Sequence, residues 1–419
     1  MEEGDINENL LRTRVLETDH DNVKDKIWSE NKKMWVVAGP AIFTRFSTFG
    51  INVISQAFVG HIGATQLAAY ALVFTLLTRF ANGLLLGVAS GMETLCGQAC
   101  QIYLQAQSKN MIITYLAAFS LSIHIFLSWF LTVKYKFGIN GAMVSTILAY
   151  WIPNIGQVIF VVSGGCRETW NGFTTLAFKD LWPVVKLSVT SGAMLCLELW
   201  YNAILILLTG NLKNAEVEID ALSICLNITG WEMMISLGFL AAASVRVSNE
   251  LGKGDSKAAK FSILNIVITS LAIGFVLFIF FLLFRDRLAY IFTKDQDVAR
   301  EVAYLSPLLA FSILLNSVQP VLSGVAIGAG WQSVVVYVTL GSYYLIGIPI
   351  GLVLGYVVKL QVEGVWIGML IGTFVQTFML VIITYRTDWD KQVSIAQRRV
   401  NKWFVEAEPS KDSNKSGAI

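Results

Sequence analysis

Residues 261–284 read FSILNIVITSLAIGFVLFIFFLLF, twenty-four consecutive positions without a charged side chain. About 20 apolar residues carry a helix across the hydrocarbon core of a bilayer. Nine further stretches meet the same requirement: 34–57, 67–91, 111–133, 139–162, 183–208, 219–243, 302–328, 333–357 and 364–385. The whole composition agrees. Of 419 residues, 55% are hydrophobic and 14% charged, and mean hydropathy is +0.61. A soluble domain carries roughly 25% charged residues. The fold class is therefore an all-α membrane protein with about ten transmembrane helices.

Several function classes drop out. The formal net charge is +2 and no basic, aromatic-interleaved patch is present, so nucleic acid is not a partner. No Gly-x-x-x-x-Gly-Lys-Ser/Thr loop exists to cradle ATP, and no His-Glu-x-x-His or Gly-x-Ser-x-Gly site suggests an enzyme. Five cysteines, Cys96, Cys100, Cys166, Cys196 and Cys225, are too few and too apolar in setting for a disulfide framework, and they lack zinc spacing.

Residues 1–33 are polar, without the apolar core of a signal peptide, and read as a disordered tail. An even number of spans places both termini on one side. That side carries Lys24, Lys26, Lys32, Lys33, Lys253, Lys257, Lys260, Arg398 and Arg399 among others, so the positive-inside rule makes it the cytosol. The expected organisation is a tail (1–33), an N-terminal lobe (34–163), a cytosolic linker (164–182), a C-terminal lobe (183–386) and a cytosolic tail (387–419). Rows of glycine at four-residue spacing, Gly83/Gly87/Gly91, Gly347/Gly351/Gly355 and Gly364/Gly368/Gly372, read as close helix packing.

The lobes are related. Leu104–Thr146 lies on Ile327–Met369 without a gap at an offset of 223 residues, with Lys136 on Lys359 and Gly141 on Gly364. The first two helices match at smaller offsets, 147 for Trp35 on Trp182 and 152 for Ala69 on Ala221. The offset thus jumps by roughly 70 residues between Cys100 and Leu104. Transporters are often built from paired repeats, and a six-plus-six plan reduced to four plus six explains the jump. Removal of two helices preserves topology.

Five stretches carry a family resemblance: Phe58-Val-Gly-His-Ile-Gly63, Glu93-Thr-Leu-Cys-Gly-Gln-Ala99, Leu197-Glu-Leu-Trp-Tyr-Asn202, Ser244-Val-Arg-Val-Ser-Asn-Glu-Leu-Gly252 and Pro320-Val-Leu-Ser-Gly-Val-Ala-Ile-Gly-Ala-Gly-Trp-Gln332. The chain resembles the multidrug and toxic compound extrusion family in its plant DETOXIFICATION branch, from residue 34 to about 400. The resemblance implies two lobes of six helices around a central cavity. It also implies export of organic cations or plant secondary metabolites by antiport, driven by protons rather than sodium, with no cofactor. The implied partners are a small organic substrate and the bilayer, with no oligomer required, in the vacuolar or plasma membrane. The departure is the join at Cys100–Leu104, where family members continue into a third helix, as an alternatively spliced product would.

Glu198 is the candidate proton-coupling residue. It lies near the middle of the fifth span, where a charge costs about 2.5–3.5 kcal/mol. It also resembles, by motif, the family's functional acid; a structural hydrogen-bonded glutamate is the competing reading. Tyr201 and Asn202 share its helix face, lining a cavity or packing structurally. Ser312, Asn316, Gln319 and Ser323 form one stripe, and Asn316 occupies a place where plant relatives carry aspartate. A two-carboxylate relay then fails and Glu198 works alone. Asn227, Asn52 and Gln56 complete the cavity candidates, with packing the alternative for each. Tyr343, Tyr344 and Trp366 either stack on substrate or lie in the core or against lipid. Arg246 and Glu250, one helical turn apart, read as a surface ion pair rather than a gate.

Overall fold

A computed structural model describes residues 2–62, 109–167, 215–292 and 295–407, with residues 104 and 172 and eight isolated positions between 189 and 208. The expected spans at 67–91 and 183–208, with Glu198, Asn202, Cys96 and Cys100, lie outside the described residues, as does the side chain of Gln56.

Helix α1 runs Glu2–Ile62 and takes the place of the disordered tail expected over 1–33. Helices α2 (Asn110–Lys134) and α3 (Gly138–Gly165) follow. The second half holds α4 (Ala215–Lys253), α5 (Ser256–Leu283), α6 (Gln296–Asn316) and α7 (Gln319–Ala329). Then come α8 (Gln332–Val357), α9 (Gln361–Arg386) and the terminal α10 (Trp389–Ala407). Among the described residues seven helices are long and apolar enough to cross a membrane. Helix α1 is not one of them; Thr44, Arg45, Ser47 and Thr48 interrupt its apolar run.

Two boundaries differ from the sequence reading. Helix α4 continues ten residues past Ala243, because Arg246 and Glu250 are buried rather than at a polar helix end. The single span expected over 302–328 breaks at Ser317–Val318. Pro320 lies in the first turn of α7 and has no N–H to continue α6. Side chains cover the break: Ser270 donates to the Ser317 carbonyl at 2.6 Å, and Ser317 to that of Leu314 at 2.8 Å.

The first half is tied together through its prolines. Pro40 leaves the Val36 carbonyl without its helical donor, and Asn110 of α2 donates to it at 3.1 Å. Pro153 likewise frees the Ala149 carbonyl, which accepts from Ser120 of α2. Between α2 and its neighbours, buried His124 sits 3.2 Å from Ser55 Oγ and 3.4 Å from Ser128 Oγ. Ser55 also bonds Thr146, and Ser128 bonds Ser145, each at 2.8 Å.

In the second half the glycine rows of α8 and α9 face each other. A Cβ on Gly368 would fall 2.3 Å from the Cα of Gly351, and one on Gly364 2.5 Å from the Leu354 backbone. Close packing, the reading given to these rows, is what they do.

The repeat is visible at atomic detail. Helix α2 closes with a π-helical turn over Phe130–Lys134, and α8 closes with one over Val353–Val357. In the first turn Tyr135 N–H donates to Phe130 and Phe137 N–H to Leu131. In the second Val358 donates to Val353 and Leu360 to Leu354. Positive φ falls at Lys136 and Gly138, then at Lys359 and Gln361. Every pair is separated by the 223 residues read from the sequence.

Both chain ends meet the bundle at the α4–α5 turn, where Glu30 of α1 reaches Arg246 and Gln397 of α10 lies against Gly254.

Candidate functional site

Helices α1 and α4 run antiparallel along a seam. At the end nearest the chain termini, the Arg246 guanidinium donates to Glu30 Oε1 through Nε at 2.9 Å and Nη2 at 2.6 Å. The same Nη2 lies 2.9 Å from Glu250 Oε1. Ser262 of α5 donates to Glu30 at 2.5 Å, and Lys253 to Glu250 at 3.1 Å. Glu30, Arg246 and Glu250 are all buried, which corrects the surface pair expected from spacing. The spacing held no sign of Glu30, which is 216 residues from Arg246. Burial works to raise the Glu30 carboxyl, but the Ser262 hydroxyl and the Arg246 charge outweigh it and hold it below the ordinary value of 4.5.

Above this cluster the seam is apolar. Trp35 meets Phe239 edge-on at 5.5 Å between ring centres. Gly238 admits Ile42, whose Cγ1 would be 2.2 Å from an added Cβ. Phe46 and Phe49 pack on Trp231 at 5.4 and 4.8 Å, and Gly230 gives Phe49 its room.

The residue after Trp231 is an acid. Glu232 is 4% exposed. Its Oε1 accepts from Ser236 at 2.6 Å, and its Oε2 is buried with no partner among the described residues. The sequence reading passed over it, although the rule that singled out Glu198, an acid far from either end of an apolar helix, applies to it equally.

The sequence candidates fall into separate places. Tyr201 is buried, stacks on Tyr343 at 3.9 Å and donates to the Met369 carbonyl at 3.1 Å. It fills the space beside Gly347 and Gly372, so packing is its role there. Tyr344 is half-buried and donates to the Leu197 carbonyl at 3.0 Å, while Trp366 is a core residue that donates to Ser312 at 2.9 Å. Gln319 is buried and donates to Ser323 at 3.3 Å, while Asn316 is half-buried at the end of α6, across the break from it. Asn227 is exposed on α4. Asn52 accepts from Tyr150 at 2.7 Å. Below it lies a cavity of about 130 Å³ between α1, α2 and α3, lined by Arg45, Ser47, Ser120, Asn154 and Gln157 among others, which no local pattern of residues marks.

The MatE family model matches residues 40–100 and 191–353, more than half of the chain. The chain belongs to the MATE family. Protein DETOXIFICATION 21 of Arabidopsis thaliana is 57% identical, with 93% of each chain covered. Protein DETOXIFICATION 20 of the same plant is 54% identical, with 98% of each covered. The crystal structure of the eukaryotic MATE transporter AtDTX14 superimposes with a TM-score of 0.83 at 28% identity, over 89% of this chain and 99% of that one. The Vibrio cholerae MATE transporter VcmN, at 14% identity and a TM-score of 0.70, shares the fold. This MATE chain is thus a membrane transporter, not an enzyme, and a multi-pass integral membrane protein. The first match to the family model stops at Cys100. The alignment to DETOXIFICATION 21 runs over 459 positions while using 93% of 419 residues, so about 70 positions are filled by the relative alone.

Proposed function

We propose that the chain is a proton-coupled antiporter that exports organic cations or plant secondary metabolites from the cytosol, across the vacuolar or plasma membrane, with both termini cytosolic. The seam between α1 and α4 carries this reading. It joins α1 of the first half to α4 of the second, with paired charges at the rim and aromatic packing inward, as a gate between rocking lobes requires. In this reading Glu198 exchanges proton against substrate, Asn52, Gln56, Asn202, Asn227 and Asn316 remain the candidates for the cavity wall, and a proton gradient replaces any cofactor. Neither an oligomer nor nucleic acid takes part.

A second reading has a specific observation behind it. The family match ends at Cys100 and about 70 positions of the relative have no counterpart, as expected if the third and fourth helices of the six-plus-six plan are missing. A chain so shortened would fold in part without transporting.

Uptake of a fluorescent organic cation into acid-loaded inside-out vesicles, which corresponds to export from the cytosol, separates the two. The parent chain, Glu198→Gln and a chain with the absent segment restored are compared. Export by the parent that fails in Glu198→Gln supports the antiporter. Export by the restored chain alone assigns the activity to the longer form.

A further inference from the structure

Glu232 stands where the α1–α4 seam ends. Its neighbour Trp231 is the last aromatic of the seam, held by Phe46 and Phe49. Fourteen residues separate it from Arg246 on the same helix, a rise of about 21 Å, so the rim cations cannot pair with it. Other charges on the helices packed against α4 are no nearer in kind. On α1, Glu30 and Lys33 belong to the rim cluster and Arg45 lines the first-half cavity. On α5, Lys257 and Lys260 sit in the first turns beside the rim, and on α6, Asp297, Arg300 and Glu301 sit in the opening turns at the far end. Helix α7 has no ionisable side chain, and α10 lies beside the α4–α5 turn.

Among the described residues an ionised carboxylate in this position has one hydroxyl donor and no countercharge, while its second oxygen is buried. The neutral acid is the form the closed seam accommodates. We propose that Glu232 is a second proton-binding site of the transporter, loaded while the seam is closed and unloaded to water when α1 parts from α4. This rests on the antiport reading and adds a carboxyl to the one that reading uses. The step is a proton transfer alone: the Glu232 O–H bond breaks and water takes the proton. A proton bound more tightly in the closed form biases the lobes toward closure, and its release favours opening. The asparagine at position 316 therefore does not reduce the chain to one acid.

A hydrophobic carbodiimide, which reacts with protonated buried carboxyls, reads this site directly. The full chain in lipid vesicles is treated across a pH series and the modified peptide quantified by mass spectrometry. Labelling at Glu232 is expected to fall as pH rises through the series, from about pH 6 to about pH 9. Labelling that is absent, or equal at both ends of the series, overturns the site. Glu232→Gln keeps the Ser236 hydrogen bond and the side-chain volume, and it is expected to export with a flattened pH profile. A profile identical to the parent's overturns the role. If the parent exports nothing, the antiport reading fails, and the labelling series still decides whether Glu232 binds and releases a proton.

Discussion

The α2–α3 and α8–α9 hairpins share a backbone and differ in what holds their helices together. A shift of 223 residues places His124 on Gly347, Ser128 on Gly351 and Ser145 on Gly368. In the first hairpin these positions form a buried chain of imidazole and hydroxyls. In the second they are bare backbone in contact. One fold therefore tolerates two kinds of contact at one set of positions. Hydrogen bonding keeps the helices a side chain apart and leaves room for the cavity lined by Ser120 and Gln157. Glycine contact leaves none. The difference teaches that the repeat preserves turns and backbone geometry, while the space between helices is set locally by side-chain size.

The rim of the seam, held by charge, gives the scale against which both hairpins can be tested. Arg246→Ala strands two buried carboxylates and should cost about 3–5 kcal/mol, read by thermal unfolding in detergent. Because Glu30 is held below 4.5, its contribution is complete above that value and is lost as pH falls through its lowered value. Acid should therefore loosen the rim, and Glu30→Gln should remove that part of the acid sensitivity. Gly368→Val drives a branched side chain into the Gly351 backbone and should cost about 3 kcal/mol. The counterpart Ser145→Gly should cost about 1 kcal/mol. Equal losses would break the comparison. His124→Ala leaves Ser55 and Ser128 short of a partner, for about 2 kcal/mol, whereas Gly347→Ala meets only the Tyr201 hydroxyl within 3 Å. The smallest effect belongs to the turns. Gly138 and Gln361 both have positive φ, and a Cβ at Gly138 meets nothing within 4 Å. Gly138→Gln should then cost about 1 kcal/mol through backbone strain alone, and Gln361→Gly should return about 0.5 kcal/mol.

Seven of the ten expected spans, the repeat and the family were legible in the sequence because each rests on a pattern that local residues carry. The 223-residue offset read from the sequence also relates the two π-helical turns. Long-range pairing was not legible. Nothing near Arg246 announces Glu30, and nothing near Val36 announces Asn110, because tertiary folding alone brings them together. The stripe of Ser312, Asn316, Gln319 and Ser323 assumed an unbroken helix, and Pro320 divides it. Glu232 is legible as an acid inside the apolar run 219–243, while its burial and its unpartnered oxygen come only from the fold. Glu198 enters the proposed function from the sequence alone, beside the seam that the fold supplies.

The two proline gaps in the first half have a mechanical consequence. A proline in a helix is ordinarily a flexible joint, since the missing hydrogen bond lets the axis bend. Here Asn110 and Ser120, both on α2, each plug one gap. The joints in α1 and α3 are pinned by the same rod, so bending either helix means pulling α2 out of register. Helices α1, α2 and α3 are thereby tied into one unit that resists bending at either proline.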